Sequence, residues 1–161
     1  MATDFITETE IETILRGVID LFLIPRFEEL GMNASGEWRD NLEVRGSSIW
    51  GRYYTEYLQY GRGPNRNQDT DYLRRWAYGM ANYNPEFKRW LEIKGLTEFG
   101  VGIAYNIGKE GTQYYKDGGT TLLEVLNEPK TLDYIKEQSM SIVKDKVMVD
   151  INRQLSNFKT I

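Results

Sequence analysis

The sequence contains neither cysteine nor histidine. Without cysteine the chain has no disulfide framework, no thiolate zinc site and no cysteine nucleophile. Without histidine it lacks the usual general base, the commonest transition-metal ligand and every serine triad built on imidazole. These two absences exclude most hydrolase mechanisms. Carboxylate chemistry and sites for Ca²⁺ or Mg²⁺ need neither residue, so the acidic residues remain candidates for both.

Long apolar runs are also missing from the sequence. No run reaches the length of a bilayer span, and the first nine residues are acidic rather than basic. This pattern predicts neither a transmembrane helix nor a secretory signal. We expect the protein to be made in the cytoplasm of its producing cell and to stay there unless an assembly carries it elsewhere.

Positive charge is in the minority, with 20 Lys and Arg against 24 Asp and Glu and a formal net charge of −4. This balance argues against non-specific binding of nucleic acid, because such binding relies on Lys and Arg displacing counterions from phosphates. Aromatic residues are abundant instead, at 13% of the chain. Eleven Tyr and four Trp beside many Arg match the enrichment found at the centres of protein interfaces.

The length of 161 residues is that of one domain, and we predict a single domain over residues 1–161. Thr7 and Glu10 fit a capping box that opens a long N-terminal helix, which must kink or restart at Pro25 and end at Gly31. After a turn-rich segment from Asn33 to Asn41, residues 42–50 predict a short β-hairpin. The fold class is therefore α+β, mostly helical, with long N- and C-terminal helices and a small antiparallel hairpin sheet.

Three further helical runs follow the hairpin. The first covers residues 71–80, and the second begins at Pro85 and closes at Gly95. The third is the apolar run from Phe99 to Ile107, whose glycines weaken a regular helix but permit close helix packing.

The segment after Pro129 contains no further glycine or proline, and its apolar residues recur at spacings of three, four and seven. This pattern predicts a long C-terminal helix with one broad apolar face that packs onto the domain or onto a neighbouring copy. Ser139 and Lys146 interrupt the stricter heptad positions, which disfavours a true coiled coil. The residues of the predicted face are Leu132, Ile135, Ile142, Val143, Val147, Ile151, Leu155 and Phe158.

The most distinctive stretch is IWGRYYTEYLQYGRGPN, at residues 49–65. As a helix it carries aromatic rings along one side, because Tyr53 and Tyr57 are four residues apart, whereas as a strand it alternates. In either case it ends at the GRGP motif of residues 61–64, since glycine tolerates positive φ and proline fixes φ. Residues 62–71 are then the best candidate for an exposed functional loop.

The sequence contains only weak matches to motifs that bind phosphate or metal ions or that catalyse reactions. The GRGPN segment is no phosphate cradle, because neither a Lys-Ser/Thr pair nor a third glycine opening a helix follows it. The acidic residues near Glu8 and Asp69 resemble charged helix starts, where negative charge suits the helix dipole. We predict no catalytic, cofactor-binding or metal-binding residue.

Several sequence blocks occur in a recognisable order. They are GEWRDNL (residues 36–42), YTEYLQYGRGP (54–64), LRRW (73–76), WLEIKG (90–95) and IAYNIGKEGT (103–112). Together, over roughly residues 10–115, this order resembles the small neck or tail-completion proteins of tailed bacteriophages, which are head–tail connector components.

The resemblance implies a non-catalytic virion structural protein that forms a homo-oligomeric ring at the neck or tail, between portal and tail, and lines or seals the DNA channel. Its partners are then further copies of itself and portal, adaptor or tail proteins, with genomic DNA only as a passing, non-specific contact and no membrane. The implied location is the virion, after synthesis in the host cytoplasm. If the ring lumen is acidic, DNA slides through it without sticking.

We expect the oligomer or partner interface to use aromatic and basic residues of the middle third. They are Tyr54, Tyr57, Tyr60 and Arg62, together with Pro64. Trp76, Trp90 and the C-terminal helix are second candidates. The alternative is a small aromatic-rich ligand-binding module, for example for carbohydrate, because exposed rings also stack on sugars. An enzyme with a carboxylate or metal site ranks third.

Overall fold

The computed structural model describes residues 5–32 and 36–156. The predicted turn residue Asn33 and the last predicted apolar position, Phe158, lie outside this range. The helices are α1 (Glu8–Val18), α2 (Ile24–Glu29), α3 (Glu37–Asp40), α4 (Thr55–Tyr60), α5 (Thr70–Tyr83), α6 (Pro85–Lys94), α7 (Gly100–Glu110), α8 (Gln113–Lys116) and α9 (Pro129–Ser156). The strands are β1 (Glu43–Arg45) and β2 (Ser48–Trp50). At 71% helix with one two-stranded antiparallel sheet, the described chain confirms the predicted fold class.

The described chain divides into two units whose segments alternate along the sequence. The first unit comprises residues 5–25, 42–50 and 124–156, and the second comprises residues 26–32, 36–41 and 51–123. Because the segments alternate, no single cut in the sequence separates the units. A single domain over residues 1–161 stays a prediction.

The N-terminal helix begins with the predicted capping box. The hydroxyl of Thr7 accepts a hydrogen bond from the backbone N–H of Glu10 at 3.3 Å, and the Glu10 carboxylate accepts one from the Thr7 N–H at 2.7 Å. A π-helical turn at Ile19–Leu23 separates α1 from α2, immediately before Pro25. Proline has no N–H to donate, so the helix changes its hydrogen-bond pattern there, as the sequence predicts.

The hairpin of the first unit forms where the sequence predicts it. Strands β1 and β2 pair antiparallel with Val44 opposite Ile49, and the turn contains Gly46 at φ +57. The N–H of Gly46 donates to the carboxylate of Glu12 at 3.3 Å, which ties the turn to α1.

The first half of α9 packs against α1. Tyr134 lies over Gly17, where a Cβ atom would collide with its ring, and it meets Phe22 with ring centroids 5.5 Å apart. Farther along, the ammonium of Lys146 donates to the Glu10 carboxylate at 2.7 Å and to the Phe5 carbonyl at 3.0 Å. Lys146, which interrupts the heptad pattern in the sequence, therefore belongs to the packed side of the helix.

The Glu10–Lys146 pair makes stability dependent on pH. The hydrogen bond from Lys146, followed by the one from the Thr7 backbone, lowers the pKa of Glu10 from 4.5 to about 2. A carboxyl group with a depressed pKa in the folded state stabilises the fold above its unfolded pKa, and this stabilisation disappears as pH falls through the folded pKa. We expect Glu10→Gln to lower the melting temperature near pH 6 and to lose this disadvantage between about pH 4.5 and pH 2.

Thermal unfolding followed by circular dichroism over this pH range measures the effect. Glu8→Gln is the matched control, because Glu8 is an exposed carboxylate in the same turn without an ion pair to Lys146. A difference in melting temperature between wild type and Glu10→Gln that stays the same at every pH contradicts the prediction.

The second unit is built around the pair α5 and α7. Leu73 and Ala77 from α5 and Ala104 from α7 are buried between them. Gly108 lies against the Trp76 ring, where a Cβ atom would come within 2.8 Å of a ring carbon. The run containing Gly100, Gly102 and Gly108 is thus a helix, and two of its glycines, Gly100 and Gly108, permit the close packing that the sequence allowed.

Three other predicted boundaries in this unit are confirmed, at Gly31, Pro85 and Gly95, whereas α5 continues to Tyr83, three residues beyond its predicted end. Helix α2 gives way at Gly31, which has φ +66, with the Met32 N–H donating to the Phe27 carbonyl at 3.2 Å. The Asn84 side chain caps α6 ahead of Pro85, and Gly95 closes it in the left-handed conformation.

Candidate functional site

The seven predicted interface residues all lie in the second unit. Tyr54, Tyr57 and Tyr60 belong to α4 and its start, and Arg62 and Pro64 belong to the loop that follows. Trp76 is on α5 and Trp90 on α6. The structure brings together Tyr54, Tyr57 and Trp90, whereas Arg62 and Trp76 form a separate contact.

Tyr54, Tyr57 and Trp90 line an apolar groove between α4, α6, α7 and α8, with a volume of about 610 Å³. We call it the aromatic groove. Tyr57 is exposed, and Tyr54 and Trp90 are half-buried. Its other main side chains are Leu58, Phe87, Ile103, Ile107 and Tyr114. A concave surface of rings and aliphatic chains is suited to hold an apolar partner.

A second cavity of about 380 Å³ shares Tyr54, Leu58 and Trp90 with the aromatic groove. Its floor is Trp38, which is buried and stacks on Phe27 with ring centroids 4.6 Å apart. The indole N–H of Trp38 donates to the Thr55 hydroxyl at 2.8 Å, which fixes the start of α4. The two cavities therefore adjoin through one wall of shared side chains.

The edge of the second cavity is charged. The Glu37 carboxylate lies 3.2 Å from the Arg52 guanidinium and 3.8 Å from that of Arg89. The Glu86 carboxylate accepts hydrogen bonds from the Tyr53 hydroxyl at 3.1 and 3.0 Å, and this contact raises the pKa of Tyr53. Within the described residues Glu86 has no cation at ion-pair distance, so it leaves a negative charge beside Trp90, which is four residues farther along α6.

Arg62 does not extend from an exposed tip. Its guanidinium lies over the Trp76 ring, 4.6 Å from the centroid, and Nη2 donates to Asn65 Oδ1 at 2.6 Å. The Arg62 carbonyl accepts from the Thr112 N–H at 2.8 Å, and the Asn65 N–H donates to the Gly108 carbonyl at 2.7 Å. The first part of the predicted exposed loop is thus folded onto α7, while Pro64 and residues 66–71 are exposed.

Two donors in this contact remain without a partner. Arg62 Nη1 and Asn65 Nδ2 are buried and make no hydrogen bond to any residue that the structure describes. A buried donor without an acceptor costs roughly 1–3 kcal/mol. The stacking of Arg62 on Trp76 offsets part of this cost.

The distal part of α9 exposes an apolar surface that contains part of the predicted C-terminal face. Ile142 and Ile151 are nine residues apart, which at 100° per residue places them on opposite sides of the helix, about 180° from each other. Ile142 is half-buried on the packed side, whereas Ile151 is exposed. The predicted single broad face is therefore wrong, because it joins residues that lie on two sides.

We call the exposed side the distal stripe. Its side chains are 41–66% exposed, and they are Met140, Val147, Met148, Ile151 and Leu155. Plotting the predicted face at 100° per residue reveals this drift from one side to the other, so the signal was present in the sequence. Within the part of the chain that the structure describes, no other element covers these side chains fully.

The acidic residues of the described chain do not form a group of three that could hold a metal ion. Among the same residues, no helix has both the length and the apolar character that crossing a bilayer requires. No family model, no curated protein and no solved structure matches this chain.

Proposed function

We propose that this chain is a non-catalytic structural subunit of a tailed-phage virion, forming an oligomeric ring at the neck or tail between portal and tail and lining or sealing the DNA channel. The observation that carries the proposal is the pair of exposed apolar surfaces, the distal stripe and the aromatic groove. Apolar surface that stays in water does not stabilise a monomer, and large exposed apolar patches mark sites of association.

The distal stripe supports association because of its place on α9. A helix that packs on one side ordinarily presents polar side chains on the other. Beyond Lys146 every residue from 147 to 156 is exposed, and one side of this segment carries the apolar side chains of Met148, Ile151 and Leu155. Burying these side chains against a partner removes apolar area from water at about 25 cal/mol per Å².

The motif blocks of the sequence support the proposed family through the structure that they build. The block at residues 54–64 forms α4 and the turn at Gly61. After this turn the Arg62 carbonyl accepts a hydrogen bond from the N–H of Thr112, the residue before α8. The block at residues 90–95 supplies Trp90 to the aromatic groove, and the block at residues 103–112 supplies Ile103 and Ile107. Three of the five blocks thus contribute side chains to the aromatic groove.

Net charge agrees with a role around a DNA channel. At −4 the chain does not attract phosphates in general, so a ring of such subunits lets DNA pass without holding it. Partners in this proposal are further copies of the chain and portal, adaptor or tail proteins.

Sedimentation velocity of the purified full chain over a wide concentration range tests the proposal. We expect reversible association to one discrete large species whose mass is a fixed multiple of the subunit mass. A chain that remains monomeric at every concentration contradicts the proposal, because the two exposed surfaces then serve something other than self-assembly.

A second candidate function rests on the cavity floored by Trp38. Half-buried Tyr54 and Trp90 beside the charged side chains of Glu37 and Arg89 form an apolar surface with a polar edge, which suits a sugar ring. In this case the protein is a small carbohydrate-binding module. Calorimetric titration with a panel of mono- and oligosaccharides distinguishes the two, since saturable binding by a monomer favours the module and discrete assembly without sugar binding favours the ring.

A further inference from the structure

We propose that the distal stripe of one copy docks in the aromatic groove of the next copy, so that the two surfaces form one repeated contact around the ring. The proposal deepens the proposed function and rests on it, because it names the partner of both surfaces as a second copy of this chain. Its starting point is that the chain exposes one convex and one concave apolar surface.

The stripe has the spacing of a helix that binds in a groove. Val147, Ile151 and Leu155 follow one another every four residues, and Met148 lies beside them one residue from Val147. Side chains at i, i+4 and i+8 lie on one side of a helix, and an amphipathic helix that enters an apolar groove uses such anchors. The stripe therefore offers a row of apolar side chains about 12 Å long, at a rise of 1.5 Å per residue.

The groove offers the complementary shape and chemistry. Tyr57 stands exposed on one side, Trp90 on α6 forms another, and Ile103 and Ile107 supply aliphatic contacts from α7. Tyr and Trp side chains have only two rotatable side-chain bonds. Little conformational entropy is therefore lost when a partner docks against them.

Charge favours the same pairing. Lys144 lies seven residues before Ile151, on the same side of α9, and it makes no ion pair within the described residues. Glu86 lines the adjoining cavity, which shares Trp90 with the aromatic groove. Among the described residues its carboxylate accepts hydrogen bonds from the Tyr53 hydroxyl and has no cation at ion-pair distance. A copy docked through its stripe brings the Lys144 ammonium towards the Glu86 carboxylate in the cavity beside the groove, and opposite charges favour this orientation.

Pairing of α9 with α9 from another copy is the competing arrangement. Residues 144, 148, 151 and 155 give less than two heptads, and the position at 144 is a lysine. A stable coiled coil requires three to four sustained heptads. The stripe alone is therefore too short to hold two copies, whereas the groove adds aromatic contact area on the partner side.

The symmetry of the contact follows from its two different halves. Because the stripe and the groove are distinct surfaces, the contact is heterologous and passes from one copy to the next in a single direction. Such contacts close into rings when the rotation permits, whereas an isologous α9 pair stops at a dimer.

Two single substitutions test the contact by complementation. Ile151→Asp breaks the stripe and leaves the groove intact, and Tyr57→Asp breaks the groove and leaves the stripe intact. Both positions are exposed, so the fold tolerates the change, which circular dichroism verifies. We expect each variant alone to lose association by a factor on the order of 30 or more in Kd.

The mixture of the two variants gives the decisive result. Equal amounts are expected to form a one-to-one dimer and nothing larger, because the stripe of one variant and the groove of the other form a single intact contact. Val149→Asp is the matched control, since Val149 is exposed on the same helix but lies about 160° from the stripe at 100° per residue. We expect this control to assemble as the wild type does.

Other outcomes separate the two proposals. If the wild type assembles and both variants also assemble, or if Ile151→Asp alone dissociates and the mixture yields no dimer, the stripe-to-groove contact is wrong while the ring stands. If the wild type is monomeric at all concentrations, both proposals fail.

Because the chain has no cysteine, one engineered pair provides an independent readout. Under oxidation, equal amounts of Tyr57→Cys and Leu155→Cys are expected to give disulfide-linked heterodimers. Exclusive cross-linking of Leu155→Cys to itself contradicts the contact.

Discussion

Trp38→Ala is expected to destabilise the protein by about 3–5 kcal/mol, the range for removing a large buried aromatic side chain. Trp38 is only 3% exposed and stacks on Phe27. Its removal deletes this packing and leaves a cavity under α4. It also leaves the Thr55 hydroxyl without the indole donor at 2.8 Å.

Trp38→Phe separates the two effects. Phenylalanine retains most of the stacking on Phe27 but cannot donate to Thr55, so we expect a smaller loss, about 1–2 kcal/mol. Trp50→Ala is the control for tryptophan content, because Trp50 is more than half exposed. Urea unfolding measures all three, and equal midpoints for Trp38→Ala and Trp50→Ala contradict the assigned role of Trp38.

Gly61→Ala is expected to cost several kcal/mol, because two separate penalties coincide at this position. Gly61 has φ +73 and ψ 175, a conformation that is essentially restricted to glycine and costs of order 1–3 kcal/mol for other residues. A Cβ atom there would also collide with the backbone N of Tyr115 and approach its Cα to 2.7 Å. Backbone atoms cannot rotate away, so α4 and α8 must separate.

Gly95→Ala is the matched control for the conformational penalty alone. Gly95 also has positive φ, at +66, but nothing lies within 4 Å of the added Cβ atom. We expect it to cost about 1 kcal/mol. If chemical denaturation gives the same free energy of unfolding for both variants, the close approach of α4 and α8 is not as described.

Much of the fold follows from local signals in the sequence. The Thr7–Glu10 box, Pro85 and Gly95 each act on their own backbone neighbours, so their structural consequences can be predicted without knowing what packs on them. The hairpin turn at Gly46 belongs to the same class. These elements occur where the sequence places them.

The candidate site is less predictable because it depends on long-range packing. Arg62 and Trp76 are both interface candidates by residue type, yet the structure uses the arginine to cover the ring. Residue type alone does not distinguish a ring that faces a partner from one that faces the same chain. Trp90 and Tyr57 do share a surface, although no local pattern connects α6 with α4.

Helix α9 shows a different kind of error. The regular spacing of Ile142, Val147 and Ile151 suggests one face, but spacings of five and four residues accumulate to opposite sides over nine residues. What decides the outcome is how far the packing on α1 extends along α9. Among the described residues, the last hydrogen bond from α9 to another element is that of Lys146, and the apolar side chains of Val147, Met148, Ile151 and Leu155 beyond it are exposed.

Electron cryo-microscopy of the assembled wild-type chain tests the central claim most directly. The account predicts a closed ring in which the distal part of each α9 enters the neighbouring copy between α4 and α6, with Ile151 facing Tyr57 and Trp90. Particles of a single copy, or a ring in which the distal stripe and the aromatic groove both face solvent, would contradict it.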